Sequence, residues 1–251
     1  MGPEIILLAA LFLMTAMVYS MAGLGGGSTY LALLVLFAFP FQLVPKVALV
    51  CNLLVVTGGF YHFYRAGHFS FKQVLPFVLT SIPMAFWGGS FVIGKTLFSI
   101  LLGFSLFVAG CRLLWAGRSF TIQREIGLGH VLMVGLPTGA LLGWLSGLVG
   151  IGGGIFLSPI LLFLGWADSK RAAAAASFFI LVNSLAGLMG QMVKDGSGFD
   201  LPIIGVLGLA VIAGGQLGSR MGAYAISKLT LQKISALLIM GISFRFLWEI
   251  F

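Results

Sequence analysis

The chain has 251 residues, 60% of them hydrophobic and only 8% charged, with a mean hydropathy of +1.13. A soluble domain carries roughly a quarter charged residues, so this composition excludes one and points to a single integral membrane domain. The formal net charge of +8 would suggest nucleic acid in a soluble protein, but here the basic residues fall in short loops. They report topology instead, and nucleic acid is not an expected partner.

The N-terminus, MGPEIILLAALFLMTAMVYS, carries Glu4 in place of the positive region of a signal peptide and reads as a retained first helix. Ten apolar segments follow in order, approximately 3–22, 27–40, 46–64, 71–93, 96–116, 129–148, 154–166, 171–193, 201–221 and 229–250. Segments 27–40 and 154–166 would rise only about 20 Å as helices, too little to span comfortably. Each follows three consecutive glycines and stands second in a group of five: GLGGGSTYLAL, Gly23 to Leu33, returns as GIGGGIFLSPI, Gly150 to Ile160. The ends of the groups also agree, AGCRLLW from Ala109 to Trp115 with ISFRFLW from Ile242 to Trp248. The expected fold is therefore an all-α integral membrane protein, one domain over 1–251, with homologous repeats at about 1–116 and 129–251. About eight full transmembrane helices and two short, Gly-interrupted ones are expected.

Charge decides how the repeats are related. If every segment crosses, Arg65, Lys72, Arg112, Arg118, Arg124, Lys170, Arg171, Arg220, Lys228 and Lys233 share one side against Lys46, Lys95, Lys194 and Arg245, ten to four. If the short segments only dip in and return, the count is seven to seven. The positive-inside rule favours the first arrangement: inverted repeats in the cell (inner) membrane, with both termini outside.

Three glycines between apolar segments break a helix, because Gly is a poor helix former and adopts positive φ freely. Such breaks are tolerated at membrane depth only where protein or a water-filled cavity satisfies the freed backbone. Paired at corresponding positions, they mark the substrate site of inverted-repeat transporters. The new helix starts at Ser28 and Ile155 present amides and a positive dipole end to an anion, as a glycine nest would. A tight hairpin with close packing is the plain alternative for a single such run, and duplication argues against it.

GLGGG and GIGGGIFLSPILLFLG, followed by SKRAAAAASFFILVNSLAGLMG, resemble the two signature regions of the TauE/SafE sulfite exporter family, over nearly the whole chain and more strongly in the second half. The resemblance implies transport of a small anion, with sulfite or a sulfonate-type compound as the substrate class. Pro159 follows the second glycine run where Ala32 follows the first, so the half-sites are not expected to contribute equally.

The candidate substrate-binding residues are Gly25, Gly26, Gly27, Ser28 and Thr29 at the first run, and Gly152, Gly153, Gly154 and Ser158 at the second. Lys46, Asn52, Arg171, Ser177 and Asn183 follow downstream, with Cys51, Lys170 and Ser184 as further candidate ligands in the same two stretches. Pairing Lys46 with Arg171 pairs Asn52 with Ser177, so each half sets a hydrogen-bonding side chain six residues inward from a base. That is about 9 Å of helical rise. The bases could draw the anion to the mouth while Asn52 or Ser177 donates deeper in; equally, they could mark helix ends while Asn and Ser bridge helices. Ser28 and Thr29 have helix capping as an alternative role.

The alanine run Ala172–Ala176 reads as a smooth face that admits the glycine backbone. Arg112 and Arg245 read as interfacial anchors. His62, His68 and His130, and Cys51 and Cys111, show no ligand spacing, so no metal or cofactor is expected. Glu4, Glu125, Asp168, Asp195, Asp200 and Glu249 all fall at segment ends or in loops, leaving no carboxylate relay for protons. The expected function is secondary transport of a small sulfur-containing anion by alternating access, in the export direction and driven by the membrane potential. Uptake of another small anion and a non-transporting assembly factor are the alternatives, and an enzyme is not expected. A small anion and the lipid bilayer are the expected partners; a homodimer remains open.

Overall fold

The computed structural model describes residues 3–40, 43–91, 128–194 and 201–227, with isolated positions between 230 and 244. Among the described residues the chain is helical without strands: α1 Pro3–Met21, α2 Gly27–Leu36, α3 Val44–Arg65, α4 Phe71–Ser90, α5 Leu128–Val149, α6 Gly154–Phe163, α7 Ser169–Lys194 and α8 Leu201–Arg220. α8 runs on into one π-helical turn, Met221–Ala225. The expected segment 96–116, with Cys111 and the match of Arg112–Trp115 to Arg245–Trp248, lies outside the described residues. Of segment 229–250, Thr230, Lys233, Leu237, Met240, Gly241 and Phe244 are described, all helical.

Among the described residues five helices are long and apolar enough to cross a membrane: α1, α3, α5, α7 and α8 with its π turn. α4 has 20 residues but carries Pro76 and Pro83 in its interior and Lys72 and Gln73 at its start. α2 and α6 have ten residues each, about 15 Å of rise, half a hydrocarbon core. Large apolar side chains such as Ile6, Met14, Leu79, Trp87, Leu141, Leu209 and Leu217 point outward. Water would penalise that surface and lipid does not.

α3 and α7 are the most enclosed of the five spans and pack against each other at the centre. Around them the partners recur in pairs: α1 packs on α8 as α5 packs on α4, α3 on α8 as α7 on α4, and α2 on α3 as α6 on α7. Exchanging the first four helices for the last four maps this pattern onto itself.

Both outer seams are closed by glycine ladders. On α5, Gly135, Gly139, Gly143 and Gly147 recur every fourth residue, and a Cβ on the last three would run into the backbone of Phe77, Ser81 and Ala85 of α4. On α8, Gly214 and Gly218, then Gly222 in the π turn, meet the Leu13, Met17 and Met21 carbonyls of α1 in the same way. Spacing of four keeps the glycines on one helix face, and the missing side chains let the backbones touch.

Candidate functional site

Both glycine runs are breaks with the same backbone construction. In the first, Gly23 and Gly26 have φ of +72° and +87°; in the second, Gly150 and Gly153 have +82° and +75°, joined by Gly152 at +81°. The Gly26 carbonyl accepts from the Thr29 and Tyr30 amides, and the Gly153 carbonyl from those of Phe156 and Leu157. α2 and α6 thus start at Gly27 and Gly154, one residue before the starts expected from sequence, in the same register. The amides ahead of the first bonded ones have no partner within the helix and point outward from its positive end.

Each break leans on the central helix of the other half. Gly23 packs against the Ala173 backbone of α7, and the Ser177 hydroxyl donates to the Gly23 carbonyl at 3.0 Å as well as to Ala173 O at 2.9 Å. Gly150 packs on Pro45 at the start of α3, and Asn52 Nδ2 donates to the Ile151 carbonyl at 3.1 Å. Asn52 also lies against its own half's break: a methyl on Gly25 would stand 3.0 Å from its Cγ, and one on Gly27 would stand 3.1 Å from its Oδ1. A methyl on Gly152 would stand 3.4 Å from its Nδ2. One fully buried amide therefore holds the two breaks together. The buried run Ala172–Ala176 serves both, with Ala173 at Gly23 and the Ala176 carbonyl at Gly154.

Six buried side-chain atoms have no hydrogen-bond partner among the described residues, Ser28 Oγ, Tyr30 OH, Asn52 Oδ1, Ser146 Oγ, Asn183 Oδ1 and Ser184 Oγ, and all lie on the helices that flank or pack on these breaks. Native interiors leave few polar groups unpaired. Tyr30 OH lies beside Gly26, Ser146 Oγ beside Gly153, and Ser184 Oγ beside Gly152, at 3.1, 3.3 and 2.6 Å from the point a Cβ would occupy. The halves contribute differently. Half one supplies Ser28, Thr29 and Tyr30 from its short helix, where half two has Ile155, Phe156 and Leu157; half two supplies Asn183 and Ser184 from its long helix, where half one has Gly58 and Gly59.

The remaining sequence candidates are placed as follows. Thr29 donates to the Tyr19 hydroxyl at 2.8 Å, and Ser158 is buried on α6 beside Pro159. Lys46 is buried in the first turn of α3, whereas Arg171 is exposed in the first turn of α7. Asp168 caps α7, its Oδ1 accepting from the Lys170 and Arg171 amides at 3.0 Å each, and Lys170 Nζ donates to Ala223 O at 3.0 Å. Tyr30 and Ser146 are absent from the sequence candidates, whereas Ser184 is among them. Aligning the repeats would have flagged Ser146, which precedes Gly150 by four residues as Tyr19 precedes Gly23. Among the described residues no three His, Cys, Asp or Glu side chains gather into a metal site.

Comparison with known proteins assigns the chain to a family. The family model described as Sulfite exporter TauE/SafE matches residues 7–246, both breaks included. The chain belongs to the TauE/SafE family. Curated relatives match most or all of its length. The probable membrane transporter protein y4hK of Sinorhizobium fredii is 32% identical over 250 residues, 99% of this chain and 100% of that protein. The probable membrane transporter protein YunE of Bacillus subtilis is 28% identical, with 87% of each chain covered. The probable membrane transporter protein MJ0441 of Methanocaldococcus jannaschii is 25% identical, with 80% of each covered. No solved structure matches the chain. As a TauE/SafE protein with several apolar spans, it is a multi-pass membrane protein of a transporter family.

Proposed function

We propose that this TauE/SafE protein is a secondary transporter, not an enzyme, that exports a small sulfur-containing anion, sulfite or an organosulfonate, across the cytoplasmic membrane by alternating access. The observation that carries the reading is the meeting of two helix starts at Asn52, within a shell of buried hydroxyls that lack hydrogen-bond partners among the described residues. Helix N-termini and hydroxyl donors both favour negative charge. The family description supports sulfite chemistry, and the relatives' names support transport.

The substrate site is Gly25–Ser28 and Gly152–Gly154 with Asn52, Asn183, Tyr30, Ser146 and Ser184, while Ser177 positions the first break. Lys46, buried and next in sequence to the Pro45 on which Gly150 packs, adds positive charge; Arg171, exposed, acts at the mouth. The two halves are inverted repeats with both termini outside, supported by the charge count and by packing that exchanges helix for helix. Alternating access is rocking of one half against the other at the glycine-lined seams, around a fixed central anion. An inside-negative potential drives a monoanion outward with about 2.3 kcal/mol per 100 mV, so no coupling ion is required.

The test is flux of labelled sulfite from proteoliposomes. Protein-dependent release that accelerates under an inside-negative potential is expected, with the Gly153→Ala protein reconstituted equally but slow. Absence of flux for sulfite and sulfonates alike would sink the proposal. Flux that ignores the potential and follows a pH gradient would overturn the energy source.

A further inference from the structure

The six unpartnered oxygens around the breaks are of two chemical kinds. The hydroxyls of Ser28, Tyr30, Ser146 and Ser184 can each turn a proton toward a ligand, whereas the Asn52 and Asn183 carbonyl oxygens can only accept. The sense of both amides is fixed, because the other end of each is committed. Asn52 Nδ2 donates to the Ile151 carbonyl at 3.1 Å, and Asn183 Nδ2 donates to the Phe179 carbonyl at 2.8 Å. Flipping either amide would set two carbonyl oxygens against each other. Both residues are fully buried. Asn52 Oδ1 lies against the first break at Gly25, and Asn183 lies on the stripe of α7 that turns Phe179, Ile180 and Ser184 toward the second.

A bare oxyanion carries acceptors alone. It would satisfy the hydroxyls and the helix-start amides, yet leave two buried carbonyl oxygens unmet and facing negative charge, a cost of roughly 1–3 kcal/mol for each unmet group. An anion that brings a proton of its own meets both kinds of partner.

We infer that the site selects an oxyanion bearing its own O–H or N–H donor: bisulfite rather than the sulfite dianion, and a hydroxy- or amino-substituted sulfonate rather than a plain alkyl sulfonate. The inference rests on the anion-site reading above and adds the protonation state and donor requirement of the ligand. It also makes the transported species a monoanion, which suits a site whose positive potential comes from helix dipoles rather than from a cluster of cations.

The experiment is calorimetric titration of the purified full-length protein with sulfite, methanesulfonate and hydroxymethanesulfonate. Methanesulfonate and hydroxymethanesulfonate stay singly charged from pH 6 to 9, while bisulfite loses its proton within that range. Apparent affinity for total sulfite should fall about tenfold per pH unit once bisulfite deprotonates, with that for hydroxymethanesulfonate constant. Methanesulfonate should bind about tenfold or more weakly than its hydroxylated counterpart, and Asn183→Leu should narrow that gap. Equal binding of the two sulfonates, as follows if water alone serves the asparagines, overturns the inference. So does sulfite affinity that rises with pH. Failure of all three probes to bind overturns the anion site itself, and so is distinguishable from failure of the donor requirement.

Discussion

Substituting Gly152 by Ala tests the second break most sharply, because a matched control exists in the same chain. Gly152 and Gly67 share the left-handed backbone, with φ of +81° and +74°, so Ala costs each about 1–2 kcal/mol of conformational strain. They differ in surroundings. At Gly67, where α3 ends, no described residue lies within 4 Å of the new Cβ; at Gly152 it would meet Ser184 Oγ at 2.6 Å and Ile180 Cγ2 at 2.7 Å. Both neighbours belong to the buried face of α7 and have little room to yield, which adds about 1–3 kcal/mol of overpacking. Gly67→Ala should therefore lower stability by about 1–2 kcal/mol and keep flux per folded molecule. Gly152→Ala should lose about 2–5 kcal/mol in all and most of its sulfite flux. Thermal unfolding in detergent and flux normalised to reconstituted protein measure the two effects. Identical behaviour of the two variants would refute the reasoning, since strain alone would then account for Gly152.

Ser184→Ala removes a buried hydroxyl that has no partner among the described residues, so thermal stability should hold or rise slightly while calorimetry shows sulfite binding weakened about tenfold, the loss of one charge-assisted hydrogen bond. Asp168→Ala removes the cap of α7, which accepts two amides, and should lower stability by roughly 0.5–2 kcal/mol with flux per folded molecule unchanged. Fusing a reporter that is active only in the cytoplasm after Phe251 should give no signal if the repeats are inverted with both termini outside; a signal there contradicts that topology.

The breaks and short helices were legible in the sequence because three glycines between apolar segments have few other uses, and duplication removed most of those. Asn52 and Ser177 were legible as paired positions six residues inward from a base. Their partners were not: the Asn52 bond to Ile151 O spans 99 residues, and nothing local announces that each central helix holds the break of the other half. The bases show the limit of repeat symmetry, since Lys46 is buried and its counterpart Arg171 is exposed. Symmetry in sequence fixes equivalent places along the chain, while burial depends on what packs there. Ser146 was not legible because Ser in a membrane helix ordinarily bonds back to its own helix, as Ser219 does to Gly215 O at 2.6 Å, and only packing shows that the Ser146 hydroxyl has no such partner among the described residues.

The central claim is that the two breaks build one anion site, and binding stoichiometry tests it most directly. Calorimetric titration of the purified protein with sulfite at pH 6 should give one bound anion per chain, lost on substituting either Gly26 or Gly153 by Ala in protein that still unfolds cooperatively. Two anions per chain, with each substitution removing one, would contradict the account, as would sulfite binding that survives both.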